Sequence, residues 1–152
     1  VATLPHPAEP GFPEAYSQAW THEPERLCDF FAEDGSYTDV AMRGTYRGRA
    51  EIQRFHRWML KFSSDSLIVF TRPAVQDDRA YYEWTWSGSI SGPLRLPGGA
   101  TVDAAGHAFA VDGIATCRFD DNGKLTSHRD FWDISQLVEQ LGQTLIPRAS
   151  NI

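Results

Sequence analysis

Two periods of hydrophobic residues divide the chain. Phe12, Tyr16, Ala19 and Trp20 share one side of a helix that Pro13 opens, and Glu23-Pro24 breaks it. A second short helix is predicted over residues 24–31, with Leu27, Phe30 and Phe31 inward and Glu33-Asp34-Gly35 turning the chain out of it. The longest helix is predicted over residues 49–62, where Ile52, Phe55, Met59 and Phe62 form the stripe of a helix lying on a sheet. His56 and Trp58 flank that stripe, and His56 is read as a solvated surface residue.

Elsewhere the period is two. Residues 36–41 alternate as a strand with Tyr37, Asp39 and Ala41 on one face, and the glycine-punctuated residues 42–49 read as a connection. Strands follow over 66–71 and 80–90, joined by a turn at Asp77-Asp78-Arg79. Tyr82, Trp84, Trp86 and Gly88 form one face of the second. Residues 91–106, rich in Gly, Pro and Ala, read as a long hairpin connection or flap. The sheet resumes over 107–119, and Asn122-Gly123 turns the chain into a last strand over 124–133, where His128, Asp130 and Trp132 share a face. Asp133 caps a final helix carrying Leu137, Val138 and Leu141, which Gly142 stops. This order predicts an α+β fold: a curved, mostly antiparallel sheet wrapped around N-terminal helices, a cone with one open pocket. Residues 1–10, with three prolines, read as an extended arm, residues 11–142 as a single domain and residues 143–152 as a tail.

Composition narrows the class. With 41% hydrophobic and 22% charged residues the chain is an ordinary globular one, and no apolar run approaches the roughly 18 residues that cross a membrane. A net charge of -6 without a Lys/Arg cluster argues against a nucleic-acid partner. Cys28 and Cys117 lack metal-knuckle or redox spacing and are expected as free packing thiols, which fits a cytoplasmic protein. No secretion signal is visible in the sequence. No metal is expected: His107, His128, Asp130 and Asp133 have no matched short spacing. A serine hydrolase is disfavoured because no G-x-S-x-G motif is present.

The candidate chemistry lies on the strand faces. An imidazole, a carboxylate and an indole in a row make a poor core layer and a good lining for a polar-ended pocket. Asp39 sits between an aromatic and a small residue. Facing inward, it is desolvated and its pKa rises toward that of a general base; facing outward, it bonds loop amides or water. Trp84 and Trp86 form an aromatic wall for a flat or polycyclic ligand, or they fill space under the helices.

The AEDGSYTDV segment, the following GTYRGRAEIQRF and the RFDDNGKLTSHRDFWD ending resemble the nuclear transport factor 2-like cone fold, from about Phe12 to Gly142. That superfamily includes SnoaL-type polyketide cyclases, ketosteroid isomerases and scytalone dehydratases. The resemblance places Asp39 where the isomerases have their proton-shuttling carboxylate and Tyr16 near their oxyanion-binding tyrosine. It also puts Ala115 at the position of their protonated aspartic acid, a departure from the isomerase pattern. Asp130 with His128 resembles the carboxylate and histidine of the cyclases, and the face of His128, Asp130 and Trp132 corresponds to the cavity side of the last strand.

These residues together imply a cofactor-independent isomerase, cyclase or lyase acting on a small hydrophobic molecule. Asp39 or Asp130 removes a proton next to a carbonyl, and His128 or Tyr16 donates to the developing oxyanion. Trp84, Trp86, Trp132, Tyr82, Tyr37 and Cys117 are the expected substrate-binding residues. Epoxide hydrolysis and dehydration are the alternatives on the same fold. A non-catalytic small-molecule-binding or dimerisation domain is the alternative of another class, with Asp39 and Asp130 paired to Arg43, Arg129 or Arg118. A homodimer is what the resemblance implies.

Overall fold

In the computed structural model, which describes residues 3–142, the first apolar stripe forms α1 (Phe12–His22) and buries Phe12, Tyr16, Ala19 and Trp20. Pro13 opens it, and Glu23, forced out of helical geometry by Pro24, closes it at φ −121° and ψ 70°. The predicted second helix is only a 3-10 turn over Leu27–Phe30. Phe31 instead begins β1 (Phe31–Asp39), which runs through the Glu33-Asp34-Gly35 segment expected to be a turn. The reason is a bulge. Between the pairs Phe31↔Leu125 and Ser36↔Ser127 the register shifts, and Arg49 donates through Nε and Nη2 to the Phe31 carbonyl at 2.9 and 2.8 Å. Gly35 fits there because a Cβ would stand 2.7 Å from the Leu125 carbonyl oxygen.

The connection over residues 42–49 contains a strand that the sequence pattern hid, β2 (Gly44–Arg47), paired antiparallel with the end of β1. Ala41 therefore lies in the turn between them and not on the strand face with Asp39. Then α2 (Gly48–Phe62) lays Ile52, Phe55, Met59 and Phe62 on the sheet as its periodicity requires. His56 corrects the solvated reading: it is fully buried, and its Nε2–H donates to the Trp20 carbonyl at 2.7 Å.

Strands β3 (Leu67–Gln76) and β4 (Arg79–Ser89) form a hairpin, β7 (Ala108–Phe119) and β8 (Leu125–Trp132) another. Between them residues 91–106 fold over as a small hairpin, β5 (Leu94–Arg95) with β6 (Thr101–Val102), pinned by buried Leu94, Leu96 and Ala104. The six-stranded sheet has the order β2-β1-β8-β7-β4-β3, antiparallel throughout except for the parallel β1–β8 pair, and it does not close on itself. The edge strand β3 is covered by α1. Thr21 exchanges two hydrogen bonds with the Ile68 backbone, and Ser17 Oγ accepts from the Phe70 amide at 2.9 Å, so edge groups that would otherwise seek another strand are satisfied.

The chain's two ends are anchored differently from each other. The arm does not run simply extended: Glu9 N–H donates to the His6 carbonyl, Pro7 is fully buried, and the His6 ring packs edge-on against Phe119. Helix α3 (Ser135–Gln140) has Ile134, not Asp133, at its N-cap; Asp133, one residue earlier, turns the chain into it as its Oδ1 accepts from the Ser135 amide and hydroxyl, and Gly142 follows the helix at φ +77°. The tail over residues 143–152 lies outside the described residues.

Gly113 in β7 lets the Trp84 indole cross the sheet, since a Cβ there would stand 2.5 Å from Trp84 Cζ2 and 2.7 Å from the Phe131 carbonyl oxygen. A Gly113→Ala variant is expected to lose about 1–3 kcal/mol in urea unfolding because a backbone oxygen cannot swing aside. Stability unchanged within error would show that the Trp84–Gly113 contact does not constrain the sheet.

Candidate functional site

Strand register writes the site as rows across the inner face. One row reads Tyr46, Tyr37, His128, Cys117 and Ala80; the next reads Gly44, Asp39, Asp130, Ala115 and Tyr82; the third reads Trp132, Gly113, Trp84 and Phe70. Small residues stand between large ones. A cavity of about 580 Å³ opens on this face. That volume suits a small organic ligand. All five tryptophans of the chain, Trp20, Trp58, Trp84, Trp86 and Trp132, are on its wall, together with Phe55, Phe62, Phe70 and the flap residues Leu94 to Gly99.

Of the residues expected to form the site, Tyr37, Asp39, Asp130, Trp84, Trp86 and Trp132 line this cavity. Tyr16, His128, Tyr82 and Cys117 do not; they are buried one layer behind it. The alternation puts His128 on the inner face correctly, but the rings of Tyr16, Trp20, Tyr37 and Phe70 pack over it with centroids 5.1–6.0 Å away. Tyr16 and His128 are therefore shielded from a ligand by the same side chains that build the wall.

They still act on the site. His128 Nε2 lies 2.6 Å from Asp130 Oδ1, its Nδ1 lies 2.7 Å from the Tyr16 hydroxyl, and Tyr37 donates to Asp130 Oδ2 at 2.6 Å. Burial opposes a charge on His128, but the Asp130 carboxylate outweighs it and lifts the pKa to about 10, with Cys117 beside the ring adding to the rise. The ring is thus an imidazolium at neutral pH. Burial drives Tyr16 and Tyr37 upward as well, so both hydroxyls keep their protons. Asp130 has a donor on each oxygen, and Arg43, Arg118 and Arg129 hold neither it nor Asp39.

Asp39 differs. Its Oδ1 accepts from the Trp132 indole at 2.9 Å and the Met42 amide at 3.0 Å, both uncharged donors. Burial raises its pKa to about 6, against those hydrogen bonds and with a further push from Asp130. Asp39 is the cavity carboxylate poised near neutrality, the state a general base requires.

Sequence reasoning missed Tyr46, Arg54 and Arg95, all on the wall. The Tyr46 hydroxyl lies over Gly44, 3.0 Å from where a Cβ would be, and Gly44 is the register partner of Asp39. Its pKa is raised by burial and by the Asp39 charge, which marks the two as neighbours. Among the described residues no three His, Cys, Asp or Glu side chains converge as a metal site. No helix among them is long and apolar enough to cross a membrane.

A carboxyl whose folded pKa exceeds its unfolded value stabilises the fold below the unfolded pKa, and that contribution is lost as pH rises through the folded value. For Asp39 the window runs from about 4 to about 6, and the cost above it is on the order of 2–3 kcal/mol. Asparagine keeps the acceptor for Trp132 and Met42 without the charge. The melting temperature of Asp39→Asn should therefore gain on the wild type between pH 4.5 and pH 7.5, a window set by the raised Asp39 pKa; a constant difference across it would mean that Asp39 titrates normally.

Known proteins share this fold. A protein with a ketosteroid isomerase-like fold from Catenulispora acidiphila, solved in complex with trimethylamine, is 25% identical over 89% of this chain and 95% of its own, with a TM-score of 0.73. TsrD from Streptomyces laurentii is 25% identical over 85% of this chain and 90% of its own, with a TM-score of 0.68. A candidate polyketide cyclase from Xanthomonas campestris shares the fold at 21% identity, over 84% and 92% of the two chains, with a TM-score of 0.65. No curated protein matches the chain. The model of the SnoaL-like domain matches residues 13–128, the span that carries β1, α2, the flap and the buried His128, and the chain belongs to that family.

Proposed function

We propose that the protein is a cofactor-independent isomerase, cyclase or lyase that removes a proton next to a carbonyl of a hydrophobic substrate. The observation that carries this reading is Asp39: a buried carboxylate with a pKa of about 6 on the wall of an aromatic cavity. Asp39 takes the C–H proton, and the electron pair of that bond moves through carbon to the carbonyl oxygen as an enolate. Tyr46, which keeps its proton and lies beside Asp39, donates to that oxygen, the role first assigned to Tyr16 and His128. Returning the proton to another carbon completes an isomerisation; attack of the enolate carbon on a second carbonyl, whose π pair moves to its oxygen and takes the proton back from Asp39, completes a cyclisation. Asp130 acts as a fixed acceptor, held by His128 and Tyr37, and leaves Asp39 as the base.

The experiment needs no natural substrate. In D2O the wild type should speed deuterium entry at the carbon next to the carbonyl of 1-tetralone, read by mass spectrometry, with a rate that climbs as pH rises through about 6 and then levels. Asp39→Asn should lose roughly 100-fold or more, and Tyr46→Phe roughly 10- to 100-fold with little change in ketone affinity. Binding of the ketone with no exchange above background would favour the non-catalytic ligand-binding domain, or epoxide hydrolysis, which needs no acidic C–H.

A homodimer is the assembly we propose. The outer face of the sheet carries Ile114 and Phe131 as an exposed cross-strand pair on β7 and β8, which supports it. Sedimentation velocity should give twice the 17.1 kDa chain mass, and a species of the single mass at micromolar concentration would sink the idea.

A further inference from the structure

We infer that the substrate bears an anionic oxygen group, and that Arg54 and Arg95 bind it at the mouth of the cavity. The inference rests on the reading of this cavity as the ligand site. Arg54 projects from α2 and Arg95 from the β5 strand of the flap, so guanidinium groups reach one opening from two elements. Both are exposed, and among the described residues neither makes an ion pair.

The neighbouring charges are otherwise engaged. Arg57, one turn along from Arg54, pairs with Glu25 at 2.6 Å. Glu51, one turn before it, accepts instead from the Arg47 amide at 2.7 Å. The mouth is thus locally cationic in a chain with 20 acidic residues against 14 basic ones. A local field of that sign draws anions to the opening, and a guanidinium is a planar fork that fits carboxylate or phosphate oxygens.

The inner wall has the opposite sign. Asp39 and Asp130 repel an anion, so the charged end of a ligand stays at the arginines while its apolar body enters among the tryptophans. That orientation aims the far end of the skeleton at Asp39. The substrate class is then an amphipathic aromatic or polycyclic acid with its reacting carbonyl remote from the acid group.

Isothermal titration calorimetry with 2-naphthoate and with its methyl ester, which shares the skeleton without the charge, tests this. The double variant Arg54→Gln with Arg95→Gln should bind naphthoate about tenfold more weakly while the ester changes less than about twofold, and added salt should weaken only the naphthoate. 2-Naphthyl phosphate is the third ligand; arginine-dependent binding of it in preference to naphthoate would support the anion site and assign phosphate as the group. Equal losses for acid and ester would show that the arginines pack against the skeleton, and an unchanged naphthoate affinity would show that they do not touch it; either overturns the inference. Binding of the ester alone overturns it too, yet leaves the cavity as a ligand site. Failure of the deuterium-exchange test with arginine-dependent naphthoate binding intact would overturn only the catalytic reading.

Discussion

Because β1 runs parallel to β8 through a bulge at Gly35, Tyr37 lies opposite His128 and Asp39 opposite Asp130. Both cavity carboxylates owe their places to that register. A slip of one residue would turn Tyr37 and Asp39 to the outer face. Arg49 keeps the bulge in place by occupying the Phe31 carbonyl, so a helix residue outside the cavity lining helps to fix where the carboxylates stand. The bulge is also what allows β1 to leave the 3-10 turn and still meet β8 in register.

Two carboxylates side by side in a poorly solvated place cannot both ionise cheaply, and the structure divides their roles. Asp130 is matched with the His128 ring and the Tyr37 phenol, one donor on each oxygen. Asp39 receives an amide and an indole, which orient it without neutralising it. The buried Tyr16–His128 layer therefore works at one remove: it holds Asp130 in place, while burial first and Asp130 second raise Asp39. His128 itself lies behind the cavity wall, with its ring between Tyr16 and Asp130.

The fold was largely legible because α1, α2 and the long strands each have a clean period, and because Asn122-Gly123 and Gly142 mark their turns. The faces were legible too: Asp39, Asp130 and Trp132 are where alternation puts them. Depth was not. Alternation states which side of a sheet a residue takes, but whether His128 and Cys117 meet the cavity or lie under α1 depends on how far that helix reaches across, and no spacing in the sequence encodes it. Tyr46 was lost for a local reason. Its strand is four residues long between glycines, so the pattern reads as a loop until the pairing of Asp39 with Gly44 is known. His56 shows the converse, a polar residue on a helix that the Trp20 carbonyl draws inside.

The site also carries a thermodynamic cost. An ionised Asp39 held at a pKa near 6 costs the fold on the order of 2–3 kcal/mol at neutral pH, against a typical net stability of about 5–15 kcal/mol. The open cavity adds to this, since its tryptophans lack partners on one side that a filled core would supply. Both costs fall on side chains that face one space. A chain that only needed to fold would do better with an asparagine at position 39 and a closed interior. A desolvated carboxylate beside an unfilled aromatic wall, with two arginines that make no ion pair among the described residues, is what supports the proposal of a ligand and proton transfer in this space.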